Sequence, residues 1–276
     1  MRIANLAVFA VLLAATVPAR ADHLELGIGA TLLSYPDYRG SDHQNRRLLP
    51  LPYVVYTGDH VRVNRSGVRV DMLHRDDVSL SLSASFSLAA NDSDARDGMP
   101  HLLPTFEIGP SVDWRFADVG DGIWRLRVPI RAVCATNLRE FHSIGWFTSP
   151  NVETLHWTVL DDWGLVWSAS AGPLFATRPY HAYFYDVRAR DATADRPEFH
   201  AQGGYSGARA TAFVGARHGP WRLGFLLLDD WLRHARFDDS PLVQRENALV
   251  AGLGFSYVFY SSNGSGADPE ADTERD

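Results

Sequence analysis

Leu249-Val250-Ala251-Gly252-Leu253-Gly254-Phe255-Ser256-Tyr257-Val258-Phe259 alternates with the period of two that a pleated strand imposes on its side chains. One face carries Leu249, Ala251, Leu253, Phe255, Tyr257 and Phe259. The other carries Val250, Gly252, Gly254, Ser256 and Val258, all small or aliphatic. Bulk on one side only suits the closing strand of an outer-membrane barrel, apolar toward lipid and small toward a crowded interior. The last strand of a soluble β-sandwich alternates too, so the choice rests on the rest of the chain.

At the other end, Arg2 precedes an apolar run over residues 3–17, and Ala19-Arg20-Ala21 has the small-x-small form of a cleavage site. The run is too short for a membrane anchor. Residues 1–21 therefore read as a secretory signal peptide, with the mature chain starting at Asp22. No cysteine lies near the cleavage site, which argues against a lipid-anchored precursor. Cys134 is the single cysteine, so no internal disulfide can form.

The formal net charge of −7 and the lack of a basic run argue against a nucleic-acid partner. No long apolar segment follows the signal, so entry into a membrane would require a closed barrel rather than helices. Eight Trp, ten Tyr and fourteen Phe suit a membrane interface, and also a packed soluble core.

Alternation recurs along the mature chain. Ser79, Ser81, Ser83, Ser85 and Ser87 interleave with Val78, Leu80, Leu82, Ala84, Phe86 and Leu88. Glu107, Gly109, Ser111, Asp113 and Arg115 oppose Phe106, Ile108, Pro110, Val112, Trp114 and Phe116, while Arg125, Arg127, Pro129 and Arg131 oppose Trp124, Leu126, Val128, Ile130 and Ala132. Leu155, Trp157 and Val159 form an apolar face against Thr154, His156 and Thr158. No helical period of comparable length occurs in the mature chain.

The expected fold is all-β, an antiparallel transmembrane barrel of about 12 strands. The segments are residues 24–34, 49–57, 60–71, 78–89, 103–117, 123–136, 151–160, 163–176, 181–187, 205–217, 221–228 and 248–260. Residues 60–71 change phase, which a β-bulge at Ser66-Gly67 would absorb. Segment 181–187 is the weakest, and without it the alternative is a count of about 10. In the twelve-strand numbering the connections 91–100 and 137–145 fall on the side where short turns are usual, a conflict the sequence leaves open. The domain reading is signal peptide 1–21, barrel 22–260 and a disordered acidic tail over 261–276.

Pro36-Asp37-Tyr38-x-Gly40-Ser41 resembles the family of MltA-interacting protein and OmpV, outer-membrane proteins of Gram-negative bacteria. Further agreement comes from Leu49-Pro50-Leu51-Pro52, Glu107-Ile108-Gly109-Pro110, Tyr183-Phe184-Tyr185-Asp186-Val187, Asp239-Ser240-Pro241-Leu242-Val243 and the closing strand. The tail beyond Tyr260 departs from the family's usual terminal aromatic. The resemblance implies an outer-membrane barrel without chemistry of its own, in contact with outer-membrane lipid. It also implies a scaffold role between a lytic transglycosylase and a murein synthase. A small porin or an adhesin is the alternative.

No zinc spacing and no Gly-x-Ser-x-Gly elbow occurs, and no cofactor is expected. The acidic loop 91–98 lacks the spacing of a calcium-binding loop. Asp229-Asp230 with His234 reads as a solvated strand end rather than an enzymatic rim. The turn at residues 118–122 should pair the strands on either side antiparallel, with like faces opposed. Glu107, Asp113, Arg115, Arg125, Arg127 and Arg131 then point inward. Asp113 should lie opposite or diagonal to Arg125 or Arg127, with Glu107 near Arg131, filling the lumen. Outward Phe255, Tyr257 and Phe259 should supply lipid contact and the insertion signal.

Overall fold

The computed structural model describes residues 21–58, 60–64, 67–75, 77–88, 91–137 and 139–262. Apart from Ala21, the expected signal peptide lies outside the described residues, as does the expected tail beyond Ser261 and Ser262. In chain order the strands are β1 (Ala21–Pro36), β2 (Gln44–Gly58), β3 (Val61–Asn64), β4 (Gly67–Arg75), β5 (Val78–Ser87), β6 (Thr105–Val119) and β7 (Gly122–Thr136). They continue as β8 (Phe141–Thr148), β9 (Asn151–Leu160), β10 (Trp163–Ala176), β11 (Gly204–His218), β12 (Trp221–Trp231) and β13 (Asn247–Ser261). One α-helix, α1 (Arg178–Tyr185), stands between β10 and β11.

All pairings are antiparallel, and β13 closes the sheet on β1, with Leu253 opposite Leu32 and Tyr257 opposite Ile28. β8 and β9 are halves of one strand. Thr148 pairs with Ile130 and Asn151 with Arg127 on the same neighbour, β7, and the interruption falls at Ser149-Pro150, where proline cannot donate to the ladder. The thirteen segments thus make a closed barrel of twelve strands.

Alternation sorts the side chains. Outward rows such as Leu223, Phe225 and Leu227 on β12, and Leu253, Phe255 and Tyr257 on β13, are exposed. Their interleaved partners Gly224, Gly254 and Ser256 face in. Phe259 departs from simple alternation: Gly27 pairs with Val258 and Leu26 with Tyr260, so a bulge leaves Phe259 without a rung of its own.

Four sequence expectations are corrected. Residues 60–71 are not one bulged strand but the paired strands β3 and β4, with Val63 opposite Val68 and Asn64 opposite Gly67; Ser66 of the expected bulge lies outside the described residues. Segment 181–187 is not a strand, because Arg178–Tyr185 is helical. A helix satisfies its own backbone hydrogen bonds without a neighbouring strand. Residues 137–145 are only partly a connection, since Phe141 begins β8. On β9 the apolar face points inward, and Trp157 packs on Ile123, Leu155 and Val166. Outward His156 stacks on Trp167 with ring centroids 4.1 Å apart.

One added strand at residues 60–71 and one lost at residues 181–187 restore the count of twelve and shift the parity only of the connections between them. The short turns of β2–β3, β4–β5, β6–β7, β9–β10, β11–β12 and both described termini share one end. Residues 37–43, 91–104, 177–203 and 232–246 share the other. The conflict over 91–100 and 137–145 therefore disappears.

Candidate functional site

The loop end is a folded cap with its own core. Tyr38, Leu102, Tyr185, Val187, Ala201, Leu232, Ala235, Phe237 and Leu242 bury one another there. Helix α1 carries Tyr180 and Tyr185 on the face it turns inward, and Pro179 in its first turn suits the start of a helix. Tyr180 packs with Val133, Ala135, Phe147 and Leu174 of the inner wall, so the helix sits against the barrel's inside at its mouth. Tyr185 stacks on Phe237 at 3.7 Å with the rings 5° from parallel.

The motif residues of the sequence meet in this cap. Tyr38 donates its hydroxyl hydrogen bond to the Leu242 carbonyl at 2.7 Å, and Ser240 donates to the Tyr185 carbonyl at 2.8 Å. The Gly40 carbonyl accepts from the backbone N–H groups of Gln244 (2.7 Å) and Arg245 (3.0 Å). Gly40 has a φ of 93°, and a Cβ there would press on Leu232, so the turn favours glycine. Pro36 and Ser41 are buried beside them, and Pro241 accepts from the Gln244 side chain. The loops of residues 36–41 and 239–243 thus form one contact, although the chain separates them.

Burial sets the cap's electrostatics. It raises the Tyr38 and Tyr185 phenols and pushes Tyr180 up to about 12. It lowers the imidazole of His181, whose Nδ1 donates to the Gln202 carbonyl at 2.5 Å while Nε2 has no hydrogen-bond partner among the described residues. Arg96 is lowered by the same desolvation and donates to the Phe184 carbonyl at 2.8 Å.

Asp37, His43 and Asp92 bring one ligand atom each to within 4.8 Å of one another. The Asp37 oxygens are already engaged by the Asn45 amide (2.5 Å), the His43 ring (3.2 Å) and the Asp92 N–H (2.6 Å), so this is a clamp between two loops. Within the acidic loop, Asp94–Arg96 forms a short 3-10 helix rather than a ligand cage.

Below the cap the lumen carries charge on one wall. Asp113 lies directly opposite Arg127, whose Nε is 2.5 Å from its Oδ1, and Arg69 approaches it at 3.8 Å. Arg131 lies 3.3 Å from Glu107 and donates to Ser85 at 2.9 Å. Arg115 pairs with Asp118 near the turn end, at 2.7 Å. Glu153 of β9 was missed: it takes Arg125 at 2.7 Å and Arg127 at 3.2 Å. As the lone acid of β9, placed mid-strand, it had to find a cation, and that was its sequence signal.

Asp230 corrects the reading of a solvated strand end. It is 1% exposed and takes Arg209 at 2.6 Å and Arg39 at 2.6 Å. Arg39 is the unspecified position of the first motif, and it also donates to Ser206. Toward the turn end, Glu25 binds Arg222 at 2.5 Å and accepts from Tyr53 at 3.2 Å, a third buried ionic cluster.

A search of curated protein sequences finds no match. Among solved structures the chain is similar to the CymD monoaromatic hydrocarbon channel, at 9% identity over 92% of this chain and 93% of that one, with a TM-score of 0.33. It is also similar to the outer membrane channel DcaP of Acinetobacter baumannii, at 13% identity over 88% of this chain and 99% of that one, with a TM-score of 0.29. The model of the family described as MltA-interacting protein MipA matches residues 28–259, and the chain belongs to that family.

Proposed function

We propose that the protein is a non-enzymatic barrel of the Gram-negative outer membrane that serves as a scaffold for murein enzymes. Its partners would be a lytic transglycosylase, as the family's name suggests, and a murein synthase. The carrying observation is the cap: with Phe237, Leu232, Leu242 and Val187 fully buried across the loop end, the barrel is built as a closed body rather than an open pore. Buried ionic clusters inside the lumen support the same reading. Short turns and both described termini share one end, which in outer-membrane barrels is the periplasmic end. That end presents exposed Asp118, Asp121, Asp161 and Asp162 to the murein layer.

The test combines two measurements on one purified sample. The scaffold reading expects retention of an MltA-type transglycosylase together with little conductance in planar bilayers. Neutralising Asp121, Asp161 and Asp162 to Asn should weaken retention and its salt dependence. Steady open conductance without retention would replace the scaffold by the porin.

A further inference from the structure

β2 pairs with β1 along its length, but on its other side only Tyr56 and Thr57 have strand partners, Val63 and Arg62 of β3. β3 spans Val61–Asn64 and β4 spans Gly67–Arg75, so the wall between β2 and β5 stops short of the loop end. Among the described residues, residues 44–52 of β2 have no strand partner on that side. The upper margin is crossed by Arg47, 3.8 Å from Asp92, and by the Asp92 N–H bonded to Asp37. Below that margin no described strand pairing joins β2 to β5, and we infer from this an opening in the side of the barrel.

Its depth follows from register. The unpaired stretch runs beside Ile28, Ala30 and Leu32, the outward row of β1, since Pro52 pairs with Ile28, Pro50 with Ala30 and Leu48 with Leu32. An unpaired edge at that depth leaves backbone groups without water. The sequence answers with two prolines. In an antiparallel ladder, pairs that exchange both hydrogen bonds alternate with pairs that exchange none. Pro50 and Pro52 have no N–H to exchange, so they take the non-bonded positions and their nitrogens face the opening. That removes two donors from the edge and blunts it against an added strand.

The β2 margin is apolar on both its outer and its inner face, while the facing β5 margin carries Ser83 and Ser85 on its inner face. Outside stands Leu48, 68% exposed. Leu51 points into the lumen, opposite Gly29, and is still 49% exposed. Leu49 is its neighbour on the same face, and Leu33 and Leu226 continue the apolar surface inward on either side of Gly252.

We propose that this opening is a lateral portal through which the acyl chain of a bilayer lipid enters the lumen, to lie against Leu51, Leu49 and Leu33. The inference rests on the membrane location proposed above. The apolar outer and inner faces of the β2 margin at lipid depth favour an acyl chain over a water-borne ligand, and the two prolines weigh against a partner strand. An acyl chain asks for no backbone hydrogen bonds from the edge.

The experiment places a bimane label on single cysteines in a Cys134→Ser background and reconstitutes the full chain in phosphatidylcholine brominated on its acyl chains. Labels go at Leu48→Cys on the outer rim, Leu51→Cys on the inner rim and Ser168→Cys on the fully paired inner wall of β10. Folding is checked for each by heat-modifiable migration, and Leu49→Cys replaces Leu51→Cys if the latter fails to assemble. The portal predicts quenching at Leu51→Cys within about twofold of that at Leu48→Cys, with Ser168→Cys unquenched. Quenching at Leu48→Cys alone overturns the portal and leaves the membrane location standing. No quenching at Leu48→Cys overturns the location and the portal together. Equal quenching at all three sites overturns a localised portal.

Discussion

Arg39, carried by the first loop, places its Nε 2.6 Å from the Asp230 carboxylate at the loop end of β12. Asp230 simultaneously receives two hydrogen bonds from Arg209 of β11, at 2.6 and 2.8 Å. One buried carboxylate thereby fastens the cap to the wall, because neither guanidinium can lose it without leaving charge unpaired in a low-dielectric setting.

Removing that carboxylate should cost more than removing either cation. Asp230→Ala is expected to destabilise the folded barrel by about 2–3 kcal/mol, since it leaves two arginines facing each other. Arg39→Ala should cost less, because Arg209 still satisfies the acid. Urea unfolding in detergent measures both, and equal stability of Asp230→Ala and the native chain would remove the clamp from the account.

The cap should loosen in acid through His181. Burial lowers its pKa in the folded state, so the unfolded chain binds the proton more readily. Its contribution is then fully present above the unfolded value, about 6.5, and is lost as pH falls below that toward the lower folded value. Hydrogen exchange over residues 178–203 should therefore quicken between roughly pH 7 and pH 5, and His181→Phe should flatten the dependence. An unchanged profile in that variant would assign the acid response to another group.

Charge in the lumen should be governed by three acids rather than two. Asp113→Ala with Glu107→Ala leaves Glu153 on Arg125 and Arg127, so the pair of changes frees Arg131 most fully. Adding Glu153→Gln should lower the stability of the folded barrel further, read by urea unfolding in detergent, because it takes away the carboxylate that Arg125 and Arg127 share. If the triple variant matches the double one, Glu153 does not neutralise this wall.

The insertion signal at the closing strand should be shared. Phe259 is 62% exposed and Tyr260 is 50% exposed, and the bulge puts Tyr260 on the rung with Leu26. Phe259→Asp alone is expected to lower assembled barrel partially, and the double change with Tyr260→Asp to abolish it without reducing export. Heat-modifiable migration after membrane fractionation distinguishes these outcomes; full assembly of the double variant would place the signal elsewhere.

Sequence by itself determined what a pleat and a short turn determine. Residues two apart share a face, so the Ser79–Ser87 row, the outward row of β13 and the facing of the β6 and β7 charges were legible. The tight turn at residues 118–122 pairs β6 with β7, which put Asp113 beside Arg125 or Arg127, and only the structure's register selects Arg127. Tertiary structure alone decided the rest, because those features depend on which edges remain when the sheet closes. Aromatic-rich Arg178–Tyr185 became a helix packed on the inner wall, and the phase change at residues 60–71 became the paired strands β3 and β4. The inward turn of Trp157, the meeting of Glu153 with Arg125, and the joining of Arg39 to Asp230 link segments whose proximity no local period encodes. Closing the barrel is a non-local event, and the cap and the charged lumen are products of that closure.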